Sequence, residues 1–145
     1  VHVDECGFAP SATRRDGYAP KGHRVYGLTS GHRRPRTSLL AARLGPELAA
    51  PVLFEGTCDA EVFNAWLKVR LGPRLTRAHR VIMDNAAFHK SQETAELIQH
   101  TGATLLFLPP YSPDLNPIEH DFAVLKKRRE YQEPTSIDQI VKAYQ

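Results

Sequence analysis

The chain opens on alternating apolar and polar residues, VHVDEC, and this alternation predicts a strand. FAPSATRRDGYAPKG follows, rich in turn formers, and reads as a loop or loose hairpin. HRVYGLTS predicts a second strand and GHRRPR a basic turn. TSLLAARL and PVLFEG predict two more short strands, with GPELAAP between them. The period then changes. In DAEVFNAWLKVRL the residues Val62, Phe63, Trp66, Leu67 and Leu71 recur at helical spacing, and Thr57 or Asp59 can cap the start. HRVIMDN is a compact apolar run ending at Asp84, a pattern suited to a strand buried on both faces. SQETAELIQHTG predicts a helix between a Ser91 cap and a Gly102 stop. ATLLFLPP predicts another buried strand, broken by Pro109 and Pro110.

Two helices complete the pattern. NPIEHDFAVLKKRREY has Asn116 as its expected cap, Pro117 at the first helical position, and Ile118, Phe122 and Leu125 as an apolar seam. TSIDQIVKAYQ carries a capping box of Ser136 and Gln139. Strands joined by short turns suggest an antiparallel meander, and strands separated by helices suggest parallel additions to the same sheet. The predicted class is α/β: a mixed sheet, antiparallel first and parallel later, flanked by helices.

The chain has 145 residues, enough for one domain with a real core. Its charges are mixed, which argues against wholesale disorder. A net charge of +3 permits nucleic acid as a partner without establishing it. Cys6 and Cys58 lie in no zinc-binding spacing and read as free thiols. No apolar run approaches the ~20 residues of a membrane span, and no signal peptide is visible. Val1 already stands inside the first strand pattern, as in the later part of a longer protein or half of a split one.

Three acidic residues sit where elements begin or end. Asp4 lies in the first strand, Asp84 closes the strand HRVIMD, and Glu119 lies in the first turn of a helix. In open α/β sheets, sites gather at the carboxyl ends of strands. If the strands of Asp4 and Asp84 are neighbours, the two side chains can converge. The stiff segment PPYSPDLNP can then bring Glu119 to meet them. Converging carboxylates repel and raise one another's proton affinity. A divalent cation removes that cost, and hard oxygen donors favour Mg²⁺ or Mn²⁺. Two such ions about 3.5–4 Å apart can clamp a phosphodiester.

Each residue also has a plainer reading. Asp4 could be a turn former, and Asp84 could simply cap the next helix. Glu5 competes with Asp4; alternation sends the two to opposite faces, and the pattern does not choose between them. Asn116 and Glu119 fit the spacing of a capping box. Asp121 and Asp114 read as a solvated helix residue and a turn residue.

Taken together, VDECGF, VIMDNAAFHK and LPPYSPDLNPIEHDFAVLKK resemble the three signature blocks of DDE transposases of the mariner-like superfamily, in particular its bacterial insertion-sequence branch. The 34 residues between Asp84 and Glu119 match the family's spacing, and YAPKGHRVYGL resembles its segment after the first block. The resemblance spans nearly the whole chain. It implies that residues 1–145 form a single RNase H-like catalytic domain, and that Asp4, Asp84 and Glu119 are catalytic residues holding two Mg²⁺ ions, with Mn²⁺ able to substitute. The implied reaction is cleavage of a DNA strand followed by transfer of its 3′-hydroxyl end, in transposition. Implied partners are transposon-end and target DNA and further copies of the chain. The implied location is the bacterial cytoplasm, with the protein at the nucleoid when bound to DNA. The sequence departs from the family in two ways. Phe122 stands where many members have tryptophan, and the family's amino-terminal helix-turn-helix region is missing, which suggests a separate DNA-binding half. The competing functions are a non-catalytic DNA-binding or assembly subunit, or decayed transposase remnant, and an RNase H-like nuclease that cuts without joining.

Other residues are assigned more loosely. His89 either lies near the scissile phosphate or closes the turn after Asp84. Tyr111 packs under the proline turn. Lys21 and Arg24, with Arg14 and Arg15, and Lys126, Lys127 and Arg128, with Arg129, are candidate DNA-phosphate contacts; Arg33, Arg34 and Arg36 form a third basic group. Trp66 and Phe63 read as core.

Overall fold

The computed structural model describes residues 1–9, 18–24, 26, 36–110, 112–132 and 135–145. Among these, five strands form one sheet: β1 (His2–Phe8), β2 (Thr37–Leu44), β3 (Glu47–Glu55), β4 (Arg80–Met83) and β5 (Thr104–Phe107). Their spatial order is β3-β2-β1-β4-β5. β1 pairs antiparallel with β2, and β2 with β3. β4 and β5 add in parallel on the other side of β1. The mixed sheet expected from the connection lengths is therefore present. The predicted strand HRVYGLTS falls largely outside the described residues. β3 begins earlier than its apolar pattern suggests, because Gly45, at φ 60°, turns the chain within GPELAAP and lets Glu47, Leu48 and Ala49 join the ladder.

Helices cover both faces. α1 (Ala60–Trp66) is capped by Asp59, whose carboxylate accepts from the Val62 amide, and continues through a π-helical turn at Leu67–Leu71. α2 (Gln92–His100) is capped by Ser91 and followed by Gly102 at φ 81°. Both pack on one face, where Val3, Leu40, Phe63, Leu67, Val81 and Ile98 form a continuous core. α3 (Ile118–Tyr131) and α4 (Ile137–Lys142) pack on the other, over Cys6, Phe8, Leu39 and Ala41. The run Leu39-Leu40-Ala41-Ala42 feeds both cores in alternation, so it shows no polar positions. The capping box of α4 is present as predicted.

Two expectations are corrected. β5 is not a buried strand: it is an edge, and Leu106 and Phe107 are about two-fifths exposed, at 42% and 40%. Asp121 is not solvated. It is buried in α3, accepts a two-oxygen hydrogen bond from Arg43 of β2 at 2.7 Å, and accepts from the Tyr144 hydroxyl at 2.8 Å. The helix turn that carries Glu119 is thereby tied to the sheet.

The seam of α3 is Ile118, Phe122 and Leu125, each fully buried. Phe122→Ala is expected to destabilise the fold by about 3–5 kcal/mol, the usual loss for truncating a buried phenylalanine. Urea unfolding checks this as a lowered midpoint at unchanged slope. A loss under about 1 kcal/mol would mean that α3 is not anchored by this seam.

Candidate active site

The parallel register of β1 and β4 places His2 opposite Ile82. Asp4 and Asp84 each stand two residues further on, so they share one level of neighbouring strands. Past that level β4 ends, and the chain is pinned again before the proline segment. The Leu108 amide donates to the Met83 carbonyl at 2.9 Å, and the Asn85 side-chain amide donates to the Leu108 carbonyl. A short 3-10 turn at Pro113–Leu115 follows, then Asn116 and α3. A cleft of about 580 Å³ opens at this end of the sheet, lined by Asp4, Glu5, Asp84, Asn85, Asn116 and Glu119 together with Leu108, Pro109, Pro110, Ser112 and Pro113. All three carboxylates singled out in the sequence thus face one space.

The role of Asn116 differs from the expected one. Its side chain makes no cap on α3. It is buried and donates instead to Asp4 Oδ2 at 2.9 Å, across 112 residues of chain. Asp4 Oδ1 accepts from the Glu5 amide at 2.8 Å. Both oxygens of Asp4 are therefore held by donors from two different elements. No capping box involves Glu119, which stands exposed at the cleft rim.

Glu5 is the residue that competed with Asp4 in the sequence and was not among the site residues implied by the resemblance. Strand alternation does send it to the opposite face from Asp4: Asp4 meets Asn116 on the α3 side, and Glu5 Oε2 faces His89 Nε2 at 3.7 Å on the α1 side. Both still line the cleft, because the cleft cups the end of the sheet and takes in both faces. The adjacent acidic pair in VDEC was the available signal.

His89 lies beneath the cleft, against Asp84. It is fully buried, in tilted and edge-on contact with Phe63 and Phe88 at ring-centroid distances of 4.5 and 4.2 Å, and its Nδ1 lies 2.7 Å from Asp84 Oδ1. Asp84 Oδ1 also accepts from the Ala86 amide at 2.9 Å, and neither bond uses Oδ2. The turn that carries His89 is fixed by a polar network the sequence did not reveal. Asn64 of α1 donates to Ser91 and Glu93, and Thr94 donates back to Asn64.

The basic candidates are distributed as follows. Lys21, Arg24, Lys126, Lys127 and Arg128 are exposed. Lys126 lies two helical turns beyond Glu119, on the same face of α3. Arg128 sits over the Tyr144 ring at 5.1 Å and Arg129 over Phe8 at 5.7 Å. Arg14, Arg15, Arg33, Arg34 and Tyr111 lie outside the described residues.

Electrostatically the cleft is loaded. Burial pushes Asp4 up to about 7, with the charges of Glu119 and Asp84 adding to it against the Glu5 amide. Burial, then the charges of Asp4 and Asp84, pushes Glu5 up to about 8. Burial pulls His89 down, against the opposing pull of Asp84. Burial also raises the thiols of Cys6 and Cys58 to about 12, so both are inert at neutral pH. Among the described residues, no three His, Cys, Asp or Glu side chains stand ready to hold a metal ion. The carboxylates share the cleft without closing on a point.

The family model described as DDE superfamily endonuclease matches residues 1–141. No curated protein matches the sequence. Among solved structures, the Mos1 strand transfer complex superposes with a TM-score of 0.63 at 17% identity, over 99% of this chain and 49% of the other. The Mos1 mariner paired end complex with Mn gives 0.62 at 18%, over 99% and 50%. The catalytic core domain of BIV integrase gives 0.56 at 10%, over 99% and 78%. The chain thus spans about half the length of the Mos1 chains it resembles. At these identities the likeness establishes the fold, which is that of RNase H-like transposase and integrase cores.

A pH dependence follows from Asp4 and Glu5. Their ordinary values are 3.8 and 4.5, and the folded values lie near 7 and 8. The folded protein holds these protons where the unfolded chain has released them. Their stabilising contribution is complete below about pH 4 and is lost as pH rises through about 7 to 8. In metal-free buffer the midpoint of heat unfolding should fall across that interval in the parent, and fall less in Asp4→Asn. Equal slopes in the two proteins would show that Asp4 ionises as it does in an unfolded chain.

Proposed function

This chain belongs to the DDE superfamily endonuclease family, and from that membership and the cleft we propose that it is the catalytic domain of a DNA transposase, a metal-dependent polynucleotidyl transferase. One observation carries the reading. Asp4, Asp84 and Glu119, far apart in sequence, line a single cleft at the carboxyl end of the parallel strands β1 and β4.

The donor set fits a hard divalent cation, Mg²⁺ or Mn²⁺. Every acidic group is an oxygen donor, and the proton affinity of Asp4 and Glu5 is raised by burial first and by the neighbouring carboxylates second, a cost that a bound cation would offset. Asp4, Asp84 and Glu119 would hold it, and the exposed Glu119 is the donor with room to move toward the others. When bound, such ions supply Lewis-acid stabilisation of charge on the attacking and leaving oxygens of a phosphodiester.

The chain's own residues provide position. Asn116 and the Glu5 amide fix Asp4, the Ala86 amide fixes Asp84, and the pinned proline segment sets where α3 begins. Lys126 and Lys127 offer cations to DNA phosphates beside the cleft. Lys21 and Arg24 do the same from the loop after β1. In the first step the oxygen of water bonds to phosphorus at the element end, the P–O3′ bond breaks, and a 3′-hydroxyl is released. In the second, that hydroxyl's oxygen bonds to a target phosphorus and the target's own 3′-oxygen departs. No covalent enzyme intermediate is needed, because holding the reactants in line and neutralising charge suffices. Partners are element-end and target DNA, in an assembly of more than one copy, acting in the bacterial cytoplasm at the nucleoid.

The test is a strand-transfer assay with a duplex ending in a free 3′-hydroxyl, a plasmid target and Mg²⁺ or Mn²⁺. Joined product is expected from the parent, with a loss of roughly 10²-fold or more in Asp84→Asn and in Glu119→Gln. Nicking without joining would make the protein a nuclease on the same scaffold. DNA binding with neither activity would make it an assembly subunit.

A further inference from the structure

His89 is buried beyond the reach of substrate, yet it touches the site at both ends of its ring. Nδ1 lies 2.7 Å from Asp84 Oδ1. Nε2 points at Glu5 Oε2 from 3.7 Å, too far for a hydrogen bond, and neither of these buried atoms has a hydrogen-bond partner among the described residues. The imidazole therefore stands as a spacer between a carboxylate of β1 and a carboxylate at the end of β4. Phe63 and Phe88 pack against it. A core position with no chemistry to perform would normally be apolar, since an unpaired buried polar atom costs about 1–3 kcal/mol.

We infer that His89 is a positioning residue for Asp84: its Nδ1–H holds Oδ1, fixes the carboxylate rotamer, and leaves Oδ2 as the oxygen offered to a cation. The Ala86 amide, donating to the same oxygen, completes the hold. Asp4 is fixed in a comparable way by Asn116, so each aspartate has a buried side-chain donor behind it. Such supporting hydrogen bonds commonly change metal affinity by about 10–100-fold when removed. The inference rests on the reading of Asp84 as a metal-holding residue.

Two measurements on the whole chain test it. The first is calorimetric titration with Mn²⁺, with and without a DNA duplex, for the parent, Asp84→Asn, His89→Leu and His89→Asn, with folding checked by circular dichroism. Affinity is expected to fall about tenfold or more in His89→Leu. It should largely return in His89→Asn, whose amide N–H occupies the branch that Nδ1 occupies. A folded His89→Leu that binds Mn²⁺ as tightly as the parent overturns the inference. The second needs no variant: ¹⁵N–¹H correlation of the His89 ring in the parent should show Nδ1 protonated. A bare Nδ1 with the proton on Nε2 overturns the inference even if His89→Leu does not fold. If the parent binds no Mn²⁺, or Asp84→Asn binds as the parent does, the metal-holding reading of Asp84 fails and takes the inference with it. The ring measurement then still decides whether the His89–Asp84 bond exists.

Discussion

Everything in this molecule answers to one constraint: a carboxylate, Asp4, is buried in the central strand of the sheet beside other carboxylates. Burial raises its proton affinity, and the charges of Glu119 and Asp84 raise it further. A fold keeps such a group only by surrounding it with donors. The backbone of its own strand provides one, and Asn116, arriving from the start of α3, provides the other. The stiff proline segment makes sense in these terms. It delivers two side chains from one helix start, an amide that holds Asp4 and a carboxylate, Glu119, that shares its cleft.

The register between β1 and β4 gives the second aspartate its place. Because the strands run parallel and His2 meets Ile82, an equal step along each brings Asp4 and Asp84 to the same level. The hydrogen bonds that follow β4 keep the chain from fraying at that level. The Arg43–Asp121–Tyr144 cluster then anchors α3 to β2 from below. Position in this site is produced by ladder register and helix anchoring, and the hydrogen bonds of Asn116 to Asp4 and of His89 to Asp84 then fix the individual carboxylates.

Much of this was legible in the chain. Period-two and period-3.6 patterns locate the strands and helices, since they report which side of an element is dry. The three acidic residues stand out because each sits at an element boundary. What was not legible depends on pairing between distant segments. Whether ATLLFL is an interior or an edge strand is decided by its neighbours, not by its hydrophobicity. Asp121 looks like any charge on a helix until Arg43 is brought to it. Asn116 carries a capping signature, yet its side chain turns to donate its Nδ2–H to the buried Asp4, and its Oδ1, the atom a cap would use, makes no hydrogen bond among the described residues. Strand alternation separated Glu5 from Asp4 without choosing between them, and it holds; what alternation does not encode is that a cleft at the end of a sheet collects both faces.

The separation between Asp4 and Asn116 has a consequence for how the molecule comes into being. Contacts distant in sequence are slow to form, because a long loop must close before any of them is rewarded. β1 can pair with β2 once the segment near residue 40 has been synthesised, but its parallel partner comes only near residue 80, and the amide that covers Asp4 only at residue 116. During synthesis, then, the central strand spends most of its time with one edge open and its carboxylate wet. A nascent chain therefore has no closed cleft until the start of α3 has left the ribosome, and α3 itself gains its anchor to Tyr144 only at the end of the chain.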